Sequence, residues 1–153
     1  MTTKHHNPKA KTPDQNVLPH HTVMALVTAA DRVRRAMTQA LHPFDLTVPQ
    51  FNVLVILDAH AELPTFQIAA RMVEATPGIT RLVSTLEAKG LVNRVQSSGD
   101  RRQQLCSLTR HGREALKAVL PRIHAAQRQF LSGLSQADAA RMTALLRRVS
   151  PIT

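Results

Sequence analysis

A chain of 153 residues suits one folded domain with a modest core, plus an added dimerisation element. Lys and Arg number 20 against 10 Asp and Glu, giving a net charge of +10 and a pI of about 11.4; that balance points to nucleic acid as the partner. A single cysteine excludes an internal disulfide framework and a cysteine-rich zinc site. No stretch has the make-up of a signal peptide or of a membrane span of about 20 apolar residues, so a cytoplasmic, nucleoid-associated protein is expected.

Residues 1–21 are polar, carry Pro8, Pro13 and Pro19, and lack periodicity, so they read as a flexible arm. From Thr22 the apolar residues Leu26, Ala30, Val33, Met37 and Leu41 recur at helical spacing, and Pro43 stops this first helix. Thr47, Pro49 and Gln50 form the start signal of a second helix, with Phe51, Leu54, Val55 and Ile56 as its apolar body and an end near His60. The segment Ala61 to Leu63 can pair as a short strand before Thr65 caps a third helix carrying Phe66, Ile68, Ala69 and Met72. Phe51 and Phe66 are expected in the core. Only Val73 to Ala75 separate the third helix from the fourth, the spacing of a helix-turn-helix.

The fourth helix is expected over 76–89, with Thr76 as N-cap, Pro77 at its first position and Gly90 just past its end. Ile79, Leu82, Val83 and Leu86 make an inner stripe, which leaves Thr80, Arg81, Ser84 and Thr85 on the other side, in the half that usually meets base edges. Leu91 to Gln96 and Gln104 to Leu108 then form two strand-length runs around a polar loop containing Gly99, a hairpin signal. Asp100 can hold one of Arg101 and Arg102 outstretched while the other enters a minor groove. Between Thr76 and Arg113 stand seven basic residues (Arg81, Lys89, Arg94, Arg101, Arg102, Arg110, Arg113) and two acidic ones (Glu87, Asp100). The expected DNA-contacting set is Thr65, Thr76, Pro77, Gly78, Thr80, Arg81, Ser84, Thr85, Arg94, Asp100, Arg101 and Arg102.

After Gly112 the residues Leu116, Val119, Leu120, Ile123, Ala126 and Phe130 recur through a long helix in which Pro121 predicts a bend or break. Ser135 with Asp138 forms a capping box for a last helix bearing Leu145, Leu146 and Val149. A lone helix-turn-helix domain with its hairpin needs none of this extra apolar surface; burial against a second chain explains it, with packing inside one chain as the alternative.

The motifs LTVPQFNVL (46–54), TRLVSTLEAKGLV (80–92), the loop residues Asp100, Arg101 and Arg102, and LTRHGR (108–113) resemble those of the MarR (multiple antibiotic resistance regulator) family of bacterial transcription factors. In element order the resemblance covers roughly residues 22 to 149. It implies a mainly α fold with a small β-hairpin wing, α+β in class: a winged helix-turn-helix lobe over 47–108 within one domain, 22–153, whose segments 22–46 and 109–153 are dimerisation helices. It further implies a homodimer, a palindromic double-stranded operator, repression, and relief by a small anionic or aromatic effector bound near the junction of the helices with the lobe. Arg32, Arg35 and His42 are the candidate effector-binding residues.

Other chemistries fit less well. Cys106 sits between Leu105 and Leu108 and reads as a small core residue, and the first helix lacks the cysteine that oxidant-sensing members carry there. Eight histidines occur without ligand spacing, so no metal or other cofactor is expected. The acidic residues are scattered and no phosphate-binding or nucleophile motif is present, so no enzymatic activity is expected. The competing reading is a winged helix used for protein contact or for sequence-neutral architectural binding.

Overall fold

The structure, a computed structural model, describes residues 17–72, 78–97, 99 and 103–149. Backbone contacts divide the chain into two units, Met1–Arg32 and Val33–Thr153. The first unit holds the opening part of helix α1 (Val17–Leu41). That helix starts ahead of Thr22, where the arm was expected to end, and takes Pro19 into its first turn. Proline is tolerated there because first-turn N–H groups have no intrahelical acceptor to lose.

In the second unit α1 ends on the fully buried Leu41, a 3-10 turn spans His42–Phe44, and Asp45 turns left-handed at φ 51°. Helix α2 (Val48–Asp58) then begins at the expected capping box: Gln50 N donates to Thr47 Oγ1 at 3.3 Å and Thr47 N donates to Gln50 Oε1 at 3.0 Å. Phe51, Val53, Leu54 and Leu57 are all buried, so α2 is apolar nearly all round and forms the centre of the lobe.

Around it lie β1 (Leu63–Pro64), α3 (Thr65–Arg71), α4 (Ile79–Ala88), β2 (Val92–Gln96), β3 (Gln104–Leu108) and α5 (Arg110–Phe130), followed by α6 (Gln136–Val149). The strands form an antiparallel sheet in the order β1-β3-β2, with Cys106 opposite both Leu63 and Arg94. Leu54, Ile68, Val83, Leu86, Cys106, Val119 and Ile123 are each under 2% exposed and join α2, α3, α4, β3 and α5 in one core. The mainly α architecture with a small β-hairpin is the one expected from the sequence.

Four local expectations are corrected. Thr65 is the first residue of α3 and not its cap; Pro64 holds the cap position, without a side-chain hydrogen bond. Phe66 is 61% exposed, because α3 is short and buries only Ile68, and a residue two positions earlier points away from that face. Of the bend or break expected at Pro121, the break does not occur: α5 runs through it, with Pro121 on the exposed side, where water can reach the carbonyl it leaves unpaired, and buried Val119 and Ile123 in the flanking turns. The helix α4 starts at Ile79, since Gly78 at φ 84° is its left-handed N-cap and cannot lie inside it.

Candidate nucleic-acid interface

The face of α4 follows from its periodicity. Val83 and Leu86 are buried and Ile79 and Leu82 half-buried, which leaves Thr80, Arg81, Ser84 and Thr85 exposed along the opposite flank. The helix closes as expected at Gly90, whose φ is 69°. Gly90 N donates to Glu87 O at 2.8 Å and Leu91 N to Leu86 O at 3.0 Å, the paired bonds of a Schellman ending. That sharp stop sends the chain directly into β2, so the hairpin stands beside the end of α4. Ser97 N donates to Gln103 O at 2.9 Å at the far end of the hairpin.

Of the expected contact residues, Gly78, Thr80, Arg81, Ser84 and Thr85 come together on or at the start of α4. Thr65 stands apart and half-buried, its Oγ1 3.7 Å from Cys106 Sγ. Thr76, Pro77, Asp100, Arg101 and Arg102 lie outside the described residues. Arg94 is turned inward: its side chain is 14% exposed, and its guanidinium is held by Ser84, Glu87 and Gln104. Of the effector candidates, Arg32 falls in the first unit and Arg35 and His42 in the second, all three exposed. Among the described residues no cluster of three His, Cys, Asp or Glu could hold a metal ion.

The geometry is that of known DNA-binding regulators. Residues 46–103 match the model of the MarR family. The HTH-type transcriptional regulator MhqR of Bacillus subtilis is 31% identical over 113 residues, covering 74% of this chain and 78% of that protein. The chain belongs to the MarR family. A MarR mutant from E. coli solved with operator DNA superposes with a TM-score of 0.78 at 21% identity, covering 92% of this chain and 100% of that one. A structure of BpsR from Bordetella bronchiseptica, solved to explain regulation of its DNA binding by 6-hydroxynicotinic acid, superposes with a TM-score of 0.77 at 23% identity, covering 85% and 98% of the two chains.

This MarR-family member is therefore a DNA-binding transcriptional regulator with the winged-helix fold. Two connections made from the end of α4 were not visible to spacing arguments. Glu87, which sequence reading left as one acidic residue among basic ones, accepts from Arg94 Nη2 at 2.6 Å. Lys89, at the end of α4, reaches back to the turn after α1, where its Nζ lies 2.8 Å from Asp45 Oδ2 and also donates to the Asp45 carbonyl. The Lys89 ammonium holds the Asp45 carboxyl below the ordinary carboxylate range. In the same turn Phe44 has the Arg122 guanidinium over its ring at 5.8 Å, so the turn is gripped from both α4 and α5. Partners 44 residues apart leave no periodic trace in a sequence.

Cys106 is fully buried in β3, and desolvation pushes its thiol above the ordinary range, only partly offset by the hydrogen bond with Thr65. A thiol in that setting is inert packing. Among the described residues no single helix is long and apolar enough to cross a membrane.

Proposed function

We propose that this regulator acts as a homodimeric repressor on a palindromic operator, with α4 in the major groove and Arg101 or Arg102 of the wing in the minor groove. The observation that carries the reading is the exposed flank of Thr80, Arg81, Ser84 and Thr85 beside a buried stripe, with the hairpin immediately after it. Hydroxyl side chains permit close approach to a groove, and Arg81 can hold a phosphate or make a bidentate contact to guanine.

Dimerisation is supported by apolar faces that the single chain leaves in water. Within α1, Leu18, Val23, Met24, Leu26 and Val27 are exposed; within α6, Met142, Leu145, Leu146 and Val149 are exposed at one-face spacing. Segments 22–46 and 109–153 thus serve as dimerisation helices and 47–108 as the DNA-binding lobe. A two-fold axis would then place the two α4 helices about 34 Å apart, matching successive major grooves.

An effector that binds one spacing of the lobes better than the other relieves repression by that difference in affinity. The small aromatic acid named for BpsR supports an anionic aromatic ligand, with Arg32, Arg35 and His42 as its candidate cations. The protein works in the cytoplasm, on the nucleoid.

Selection of bound fragments from the source genome, followed by sequencing, tests the reading. Recovery of a shared palindrome upstream of genes supports it. Salt-dependent binding with no preferred sequence would indicate an architectural binder, and no binding at all a protein-contact module.

A further inference from the structure

Arg94 of β2 ties three elements together. Its Nη2 donates to Ser84 Oγ at 2.7 Å and to Glu87 Oε2 at 2.6 Å, both on α4, and its Nη1 donates to Gln104 Oε1 on β3 at 3.0 Å. The Nε–H is buried without a partner among the described residues, and the side chain as a whole is 14% exposed. This guanidinium is engaged within the protein. There it can set what its neighbours do.

A guanidinium has donors only, so at the Ser84 contact the hydroxyl must accept. One of the two lone pairs of Ser84 Oγ is therefore occupied on the protein side. Its proton has no acceptor among the described residues, and the side chain is exposed. Thr85, the next residue, is in the opposite condition: its hydroxyl donates to Arg81 O at 3.0 Å, which spends its proton inside the helix. Of these two adjacent hydroxyls on the same flank, Ser84 is thus the one that keeps its proton to give. The Glu87 carboxylate, one turn further along α4, is itself held by Arg94.

We propose that Arg94 is a positioning residue that fixes the Ser84 hydroxyl so that its proton points toward DNA, where an acceptor on the duplex receives it. The inference rests on the reading that α4 enters the groove. The acceptor is a base-edge atom, guanine N7 or O6, adenine N7 or thymine O4, or else a phosphate oxygen; the shared requirement is a lone pair.

The test uses the full chain. Wild type first selects a binding site from random duplexes. Wild type, Ser84→Ala, Ser84→Thr, Arg94→Lys and the double variant Ser84→Ala/Arg94→Lys are then titrated on that site and on a scrambled duplex. Ser84→Ala weakens binding about 2- to 12-fold, the range for one hydrogen bond, and Ser84→Thr restores it. Arg94→Lys keeps the charge, so the salt slope is unchanged, yet it loses a similar factor. The double variant loses no more than the larger single loss, as coupled groups do. A loss confined to the selected site identifies a base acceptor, and an even loss on both duplexes identifies phosphate; either supports the proposal. Wild-type affinity for Ser84→Ala overturns it, as do losses that multiply in the double variant. Should thermal melting show Arg94→Lys unfolded, the Ser84 pair alone decides by the same criterion. A wild-type chain that selects no site defeats the underlying DNA reading, at a stage before any variant is used.

Discussion

Gly112 in the first turn of α5 lies directly against the backbone of Leu91, the residue that leaves α4 for the wing. A Cβ at Gly112 would fall 2.0 Å from the Leu91 carbonyl oxygen and 3.0 Å from its carbonyl carbon. The same carbonyl accepts from Thr109 N at 3.1 Å, and Thr109 Oγ1 donates to Gly90 O at 2.7 Å while accepting from Gly112 N at 2.9 Å. One knot of main-chain bonds thus joins the end of the reading helix to the start of α5.

Gly112→Ala is accordingly expected to destabilise the fold by about 1–3 kcal/mol, because both colliding partners are backbone and neither can swing aside. Chemical denaturation of the two proteins checks it. An unchanged midpoint would mean that the two segments do not approach this closely.

How far such features could be read beforehand depends on whether their cause is local. The Thr47–Gln50 box, the Ser135–Asp138 pair and the Gly90 stop were legible, since each is a contact within a few residues whose side chains have one obvious use. The inner stripe of α4 was legible by period alone. Phe66 misled because an aromatic beside Ile68 looks like core until the shortness of α3 decides which of the two faces inward. Arg94 was legible as a cation of the hairpin, but its partners were not. It stands in a stretch, Thr76 to Arg113, that is rich in basic residues, but its partners Ser84, Glu87 and Gln104 are brought to it only by the hairpin folding against α4.

The two phenylalanines supply a paired prediction. Phe51 is 6% exposed in the middle of the core, and Phe51→Ala is expected to cost about 3–5 kcal/mol. Phe66 is largely in solvent, and Phe66→Ser is expected to stay within about 0.5 kcal/mol of wild type. Equal losses in thermal melts would refute the placement of α3.

Cys106 should be silent in the native protein. Burial raises its folded pKa, so below the unfolded thiol value of about 8.5 the group is neutral in both states and its contribution to stability is fully present. As pH rises past that value the unfolded thiol ionises first, and the contribution is lost up to the folded pKa. An aromatic disulfide reagent at neutral pH is expected to label Cys106 only as fast as the chain unfolds, and peroxide to leave DNA affinity unchanged. Rapid stoichiometric labelling of folded protein would contradict the packing of β3.

The wing is tested by charge. Replacing Arg101 and Arg102 together with Ala should weaken operator binding and flatten the dependence of log affinity on log salt by up to about two contacts' worth, since each neutralised phosphate contributes roughly one counterion. A slope identical to wild type would remove the wing from the interface.

The central claim is that α4 reads sequence, and the most direct measurement is a titration of wild type and Arg81→Ala on the selected operator and on a scrambled duplex at one salt concentration. Wild type is predicted to prefer the operator by about a thousandfold or more. Arg81→Ala is predicted to lose about 1–3 kcal/mol on the operator, with a smaller loss on the scrambled duplex marking a base contact and an equal loss marking phosphate. Equal wild-type affinity for both duplexes would contradict the account.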